Sequence, residues 1–164
     1  MLRIVETFSE QDITHIRALF KEYNDSLGFD LSFQNFDKEF AELPGKYTPP
    51  EGRLLLAIYD EKIAGCVALR KFENDICEMK RLYVRKEFRR KGIGKALSLA
   101  IINAAREIGY SYMKLDTVPW MREAITPYHS LGFSDISAYR YNPKILSGVI
   151  IRSPIHGRKY LSDK

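Results

Sequence analysis

The segment spanning residues 81–97, RLYVRKEFRRKGIGKAL, constrains the fold more than any other part of the chain. Residues 76–85 (ICEMKRLYVR) are strand-like, and residues 92–108 carry Ile93, Leu97, Ala100, Ile101 and Ala104 at helical spacing. Between them runs a short basic loop with glycines at Gly92 and Gly94. A strand that passes into a helix through such a loop sets the first helical N–H groups at the edge of a sheet. Those groups lack intrahelical partners, and the helix dipole adds partial positive charge. Glycine lets an anion approach the backbone closely, so the segment reads as an anion site. From Lys80 to Lys95 there are eight basic residues against one acid, Glu87, an excess larger than the net charge of +5 of the whole chain. Charge gathered in one short loop suits a compact polyanion better than a long duplex.

The rest of the chain reads around this segment. Residues 2–7 form a short strand, and Ser9 with Asp12 resembles a helix start. Ile13, Ile16, Leu19, Phe20, Tyr23 and Leu27 then share a helical face that Gly28 ends. Leu31, Phe33, Phe36, Phe40 and Leu43 suggest a second helix within residues 29–44, followed by an ordered Pro- and Gly-rich loop over 44–52. Residues 53–60 and 62–72 read as strands joined by a tight turn at Asp60-Glu61, and a second turn at 73–75 leads into the strand at 76–85. These three strands make an antiparallel meander. After the helix at 92–108, Gly109 is a C-cap and residues 112–117 a strand. Residues 121–131 read as a helix interrupted at Pro127, 133–141 as a strand and 148–152 as a last strand, with a frayed basic end. The result is one domain, residues 1–164, of α/β character with a mixed sheet and helices on its faces.

Composition narrows the function classes. With 45% apolar and 29% charged residues, the chain is an ordinary globular one. No apolar run is long enough to cross a bilayer and the first residues lack a secretion signal, so a cytoplasmic protein with no membrane partner is expected. Cys66 and Cys77 stand in apolar strand text, and His15, His129 and His156 form no ligand spacing with them. Two buried thiols and no metal site are expected. A Walker loop needs Lys-Ser/Thr after its second glycine, but Lys95 is followed by Ala96. A dinucleotide fingerprint needs a third glycine where Leu97 stands.

Arg89-x-x-Gly92-x-Gly94 resembles the pyrophosphate-binding motif of the GNAT superfamily of N-acetyltransferases. Glu78-Met-Lys-Arg-Leu-Tyr-Val84 is similar to the strand that precedes that motif in the family. Leu115-Asp-Thr117, Tyr128-x-x-Leu131-Gly-Phe133 and Asn142-Pro143 after Tyr139 are similar to its later segments. The likeness runs from about Arg53 to Pro143. It implies the GNAT acyltransferase fold, a mostly antiparallel sheet of six or seven strands with about four helices.

The resemblance also implies roles. Acetyl-CoA would be the cosubstrate, with no metal. Its pyrophosphate would meet the backbone of Arg89, Arg90, Lys91, Gly92, Ile93, Gly94 and Lys95. Its pantetheine arm would lie along Leu82, Tyr83 and Val84 like an added strand, with the amide of Leu82 or Val84 polarising the thioester carbonyl. The thioester would sit where this strand splays from the one at 112–117. Tyr128 stands where many members carry the tyrosine that protonates the departing thiolate, the alternative being a tyrosine packed in the core. Glu78 stands where histone-type members carry a general base. The alternatives are a surface carboxylate paired with Lys80 or Arg70, and a water chain as the base. Two positions depart from the family: Met121 replaces a common asparagine, and Pro127 a common leucine. The proline breaks the helix before Tyr128 or opens a new turn capped by Thr126.

On the acceptor side the chain offers Tyr23, Phe29, Phe33, Phe36, Phe40 and Tyr47, and Arg70 ends a strand beside the one bearing Glu78. Arg70 with the basic Lys80-Arg81 pair suggests an amine that also carries a carboxylate, such as an amino acid. The expected activity is acetyl transfer to a primary amine of a small molecule by direct attack in a ternary complex. Competing readings are a protein N-acetyltransferase, an acyl-CoA-binding sensor without catalysis, and a nucleic-acid-binding module. The last is disfavoured because the basic residues cluster in one stretch. A homodimer is compatible with the family's habits.

Overall fold

The computed structural model describes residues 1–7, 9–26, 36–117, 128, 130–136 and 149–154. Its strands are β1 (Leu2–Glu6), β2 (Arg53–Tyr59), β3 (Lys62–Glu73), β4 (Ile76–Val84), β5 (Tyr112–Thr117), β6 (Ser134–Ile136) and β7 (Val149–Pro154). The α-helices among the described residues are α1 (Glu10–Ser26), α2 (Phe36–Glu42) and α3 (Ile93–Ile108). One seven-stranded sheet runs in the order β1-β2-β3-β4-β5-β7-β6. Every pairing is antiparallel except β4 with β5.

Local chemistry sets the elements. Ser9 and Asp12 form a reciprocal capping box, in which the Asp12 N–H donates to Ser9 Oγ at 3.0 Å and the Ser9 N–H to Asp12 Oδ2 at 3.3 Å. The β2–β3 turn places Asp60 at φ 48° and Glu61 at φ 65°, the pair of left-handed residues that a two-residue hairpin requires. Gly109, at φ 111°, closes α3 by donating to the carbonyls of Ala105 and Arg106. Of the second predicted helix, the described part runs from Phe36 to Glu42, and Pro44 and the one-turn 3-10 segment Gly45–Tyr47 follow. Residues 29–35, the predicted helix over 121–131 apart from Tyr128 and 130–131, and residues 137–141 of the predicted strand over 133–141 lie outside the described residues.

The sheet has two packed faces. On one, α3 buries Ile93, Leu97, Ile101, Ile102 and Ala105 against Val67 and Leu69 of β3, Cys77 and Met79 of β4, and Met113 and Leu115 of β5. On the other, Ile16, Leu19 and Phe20 of α1 and Phe36 of α2 cover Leu54 and Leu56 of β2 and Cys66 and Ala68 of β3. The alternation along β3 divides its side chains between these layers.

Candidate active site

At the level of the glycine loop, β4 is irregular. Cys66 of β3 faces Tyr83, but Ala68 faces Lys80, so β4 carries one extra residue between those partners. Arg81 absorbs it at φ 58°, a left-handed conformation that a side chain normally avoids. Across from this bulge stands Gly65, where an added Cβ would come within 2.4 Å of the Tyr83 carbonyl; only glycine allows so close an approach. After the bulge, Leu82 and Val84 turn to the α3 face and Tyr83 to the α1 face.

The parallel pairing of β4 with β5 stops at Glu78 opposite Lys114, whereas β5 continues along β7 to Thr117 opposite Val149. The second half of β4 therefore runs on without β5 as a partner, and a strand edge faces the gap. This is the splay expected between these two strands.

Beyond Val84 the chain makes a 3-10 turn at Lys86–Phe88, and Arg90 and Gly92 adopt φ of 64° and 76° before α3 begins at Ile93. Gly92 has no side chain with which to cap the helix. A Cβ built there would meet nothing within 4 Å, and one at Gly94 would meet only Val84 Cγ2 at 3.8 Å. There is thus open space beside both glycines at a helix start whose first N–H groups have no intrahelical partners. Arg89, Arg90, Lys91 and Lys95 are exposed around it, while the Ile93 side chain is buried, which leaves that residue only its backbone for a ligand. The Arg89 side chain folds back, donating from Nε to the Val84 carbonyl at 3.0 Å and lying over the Tyr83 ring. Lys91 lies over the Tyr59 ring.

Glu78 is fully buried, unlike the surface carboxylate considered as an alternative. It sits in register opposite Arg70, whose Nε donates to Glu78 Oε1 at 2.9 Å, and Lys80 Nζ lies 3.9 Å from the same oxygen. Tyr128 is 5% exposed and joins the core against which Leu82 and Val84 pack, its ring 5.8 Å from Phe133. Its carbonyl accepts the N–H groups of Leu131 and Phe133, which fixes the turn that carries it. Burial, and secondarily the Tyr23 phenol, push the Tyr128 hydroxyl well above the ordinary tyrosine range. Met121 and Pro127 lie outside the described residues.

Two carboxylates that sequence reading did not single out complete the α1–α2 side. Glu22 of α1 accepts from Arg85 Nη2 at 2.8 Å. Glu39 of α2 accepts from Arg81 Nε at 2.9 Å and from the Tyr47 hydroxyl. The strand alternation that put Glu78 and Lys80 on one face could have flagged a polar layer there. The bulge that adds Arg81 to that layer leaves no signature in residue spacing.

A separate groove of about 570 Å³, lined among others by Thr14, Arg17, Pro44, Tyr47 and Arg53, lies at the start of β2, away from the glycine loop. Among the described residues no helix is long and apolar enough to cross a membrane, and no cluster of three or more His, Cys, Asp or Glu could hold a metal ion.

The family model described as Acetyltransferase (GNAT) family matches residues 14–133. An uncharacterized N-acetyltransferase of Schizosaccharomyces pombe is 42% identical over 81% of this chain and 83% of its own length. One of Dictyostelium discoideum is 35% identical over 87% of this chain and 94% of its own. The N-acetylaspartate synthetase of Homo sapiens is 34% identical over 61% of this chain, which spans 34% of that protein. Among solved structures, a GNAT-family acetyltransferase from Staphylococcus aureus Mu50 superposes with a TM-score of 0.77 at 19% identity, covering 94% of this chain and 99% of that one. The PaiA N-acetyltransferase of Thermoplasma acidophilum, in complex with coenzyme A, superposes with a TM-score of 0.71 at 17% identity, covering 94% and 99%.

Proposed function

The chain belongs to the GNAT family of acetyltransferases, and from that premise we propose that it moves an acetyl group from acetyl-CoA to the primary amine of a small, amino-acid-like acceptor in a ternary complex. The observation that carries this reading is the uncapped first turn of α3, open over Gly92 and Gly94, at the end of a strand that has parted from β5. Open space above a glycine at φ 76°, ringed by exposed Arg89, Arg90, Lys91 and Lys95, fits a diphosphate held by backbone donors. The free edge of β4 fits an extended pantetheine arm along Leu82, Tyr83 and Val84. When bound, acetyl-CoA supplies the activated acyl carbonyl and a thiolate leaving group.

The chain's own residues then manage position and protons. The amide of Leu82 or Val84 donates to the acyl oxygen as charge develops there. Tyr128, held protonated by burial, keeps a proton for the departing sulfur. Glu78 takes a proton from the acceptor ammonium, directly or through water, so that the neutral amine attacks. Arg70 and Glu78 stand side by side with opposite charges. That pairing matches a zwitterion: the acceptor carboxylate against the terminal nitrogens of Arg70, its ammonium toward Glu78. The similarity to an N-acetylaspartate synthetase supports an amino-acid-like acceptor.

The test is a thermal-shift series with acyl-CoAs, followed by a CoA-release screen across amines with and without a carboxylate. A large melting shift with acetyl-CoA and turnover favouring carboxylate-bearing amines are expected. Saturable binding with no turnover of any amine would make the protein an acyl-CoA sensor instead. Turnover only of peptide lysines or N-termini would overturn the small-molecule acceptor.

A further inference from the structure

The bulge in β4 lies just beyond Glu78, the last residue paired with β5, in the half of the strand that β5 leaves free. It decides which face each later side chain takes. Without the extra residue, Leu82, Tyr83 and Val84 would each flip to the opposite side of the sheet. Yet Arg81 holds this conformation with a full side chain at φ 58°, where glycine is the usual occupant. Something outside the strand must stabilise it.

The Arg81 side chain is only 2% exposed and runs away from the sheet toward α1 and α2. Its Nε donates to Glu39 Oε2 at 2.9 Å, and Tyr47, itself buried, donates its hydroxyl to the other oxygen of that carboxylate. The guanidinium carbon lies 5.3 Å from the centre of the Phe36 ring and 5.9 Å from that of Tyr23. The Arg81 carbonyl accepts the Cys66 thiol at 3.4 Å, tying the bulged peptide to β3. An ion pair this well buried, fixed on both carboxylate oxygens, specifies one geometry.

We propose that Arg81 and Glu39 are positioning residues: their buried pair holds the β4 bulge so that the Leu82–Val84 backbone presents its edge to the cosubstrate. This rests on the acetyl-CoA reading above. It makes the layer formed by α1, α2 and the 45–47 turn, on the side opposite α3, a determinant of cosubstrate grip without touching the cosubstrate.

The pair is tested in Arg81→Met, Glu39→Gln, their double variant, Arg81→Ala and Arg81→Gly. Two readouts are taken well below each melting temperature: the acetyl-CoA dissociation constant by calorimetry, and hydrogen exchange of the 79–85 amides in the free protein. Each single loss of the pair is expected to weaken acetyl-CoA about tenfold, and the double variant no further, as expected when two residues act through one contact. Arg81→Gly is expected to bind more tightly than Arg81→Ala, because glycine adopts the left-handed turn without a Cβ. Faster exchange over 82–84 should accompany each loss. Lowered melting temperatures with an unchanged dissociation constant, or alanine binding as well as glycine, would reduce the pair to packing and overturn the proposal. If Arg81→Met does not fold, Glu39→Gln, which keeps the shape, decides alone. If the wild-type protein binds no acetyl-CoA, the cosubstrate reading falls, while the exchange data still decide whether the pair holds the bulge.

Discussion

Tyr128 is a phenol in an apolar setting, and that setting suits the proposed role of proton donor. Burial disfavours the phenolate, so the group remains protonated through the pH range in which an amine substrate loses its proton. Tyr128→Phe keeps the ring's packing against Phe133 and removes only the proton. Turnover should fall about 10²-fold with the acetyl-CoA dissociation constant unchanged, since in the proposed role the hydroxyl acts on a leaving group and not on the ground state. Because the shift is upward, no loss of turnover near pH 9 should trace to this residue, and the alkaline limbs of wild type and Tyr128→Phe should coincide in shape. Glu78 is different, being fully buried beside a guanidinium. Glu78→Gln keeps the volume and removes the proton acceptor. Its kcat/KM should fall at least tenfold. An unchanged kcat/KM would pass the base to a water chain. Both residues were proposed from the resemblance of the sequence around them to a family motif. Their burial was not legible there, because whether a carboxylate on a strand meets solvent or an arginine depends on the β3–β4 register.

At the scale of elements, the loop between β4 and α3 is the part in which local sequence dictated structure most completely. Gly92 and Gly94 stand where the helix opens, and the Gly92 Cβ position is empty. This allows two substitutions to be told apart. Gly92→Glu puts bulk and negative charge into the proposed anion cradle and should abolish the acetyl-CoA melting shift. Gly92→Ala meets no atom but must hold φ 76°, so it should cost about 1 kcal/mol of stability while leaving a measurable shift. Equal loss in both would mean that backbone conformation, not anion access, governs the site. The capping box at Ser9, the Asp60-Glu61 hairpin and the Gly109 cap were likewise legible, because each is decided within four or five residues. The β4 bulge was not. It is a mismatch between two strands, and its stabiliser, Glu39, comes from a helix 42 residues away in the chain.

Among the described residues, the sheet is packed on both faces, and each face carries a thiol with its proton in use. Cys66 lies in the α1–α2 layer and donates to the Arg81 carbonyl, and Cys77 lies in the α3 layer and donates to the Tyr112 carbonyl, both at 3.4 Å. Both are fully buried, and burial is the first cause that pushes each thiol far above its ordinary range. The native state therefore keeps both protons at a pH where the unfolded chain releases them. Stability changes with pH as the difference in protons bound by the unfolded and native states. Above the ordinary thiol value of about 8.5 that difference is negative for each cysteine, so stability falls as pH rises. The expected slope is about 1.4 kcal/mol per pH unit for each thiol, with the full stabilisation present below pH ~8.5. Urea denaturation under reducing conditions from pH 7 to 10 measures it, and other groups cancel when wild type is compared with a Cys66→Ala/Cys77→Ala variant. That variant should start less stable and decline less steeply, so the two curves converge on the alkaline side. Parallel curves would mean that both thiols ionise in the folded protein as they do in the unfolded chain, and that the layer holding Cys66 against the bulged backbone of Arg81 is wetter than its packing implies.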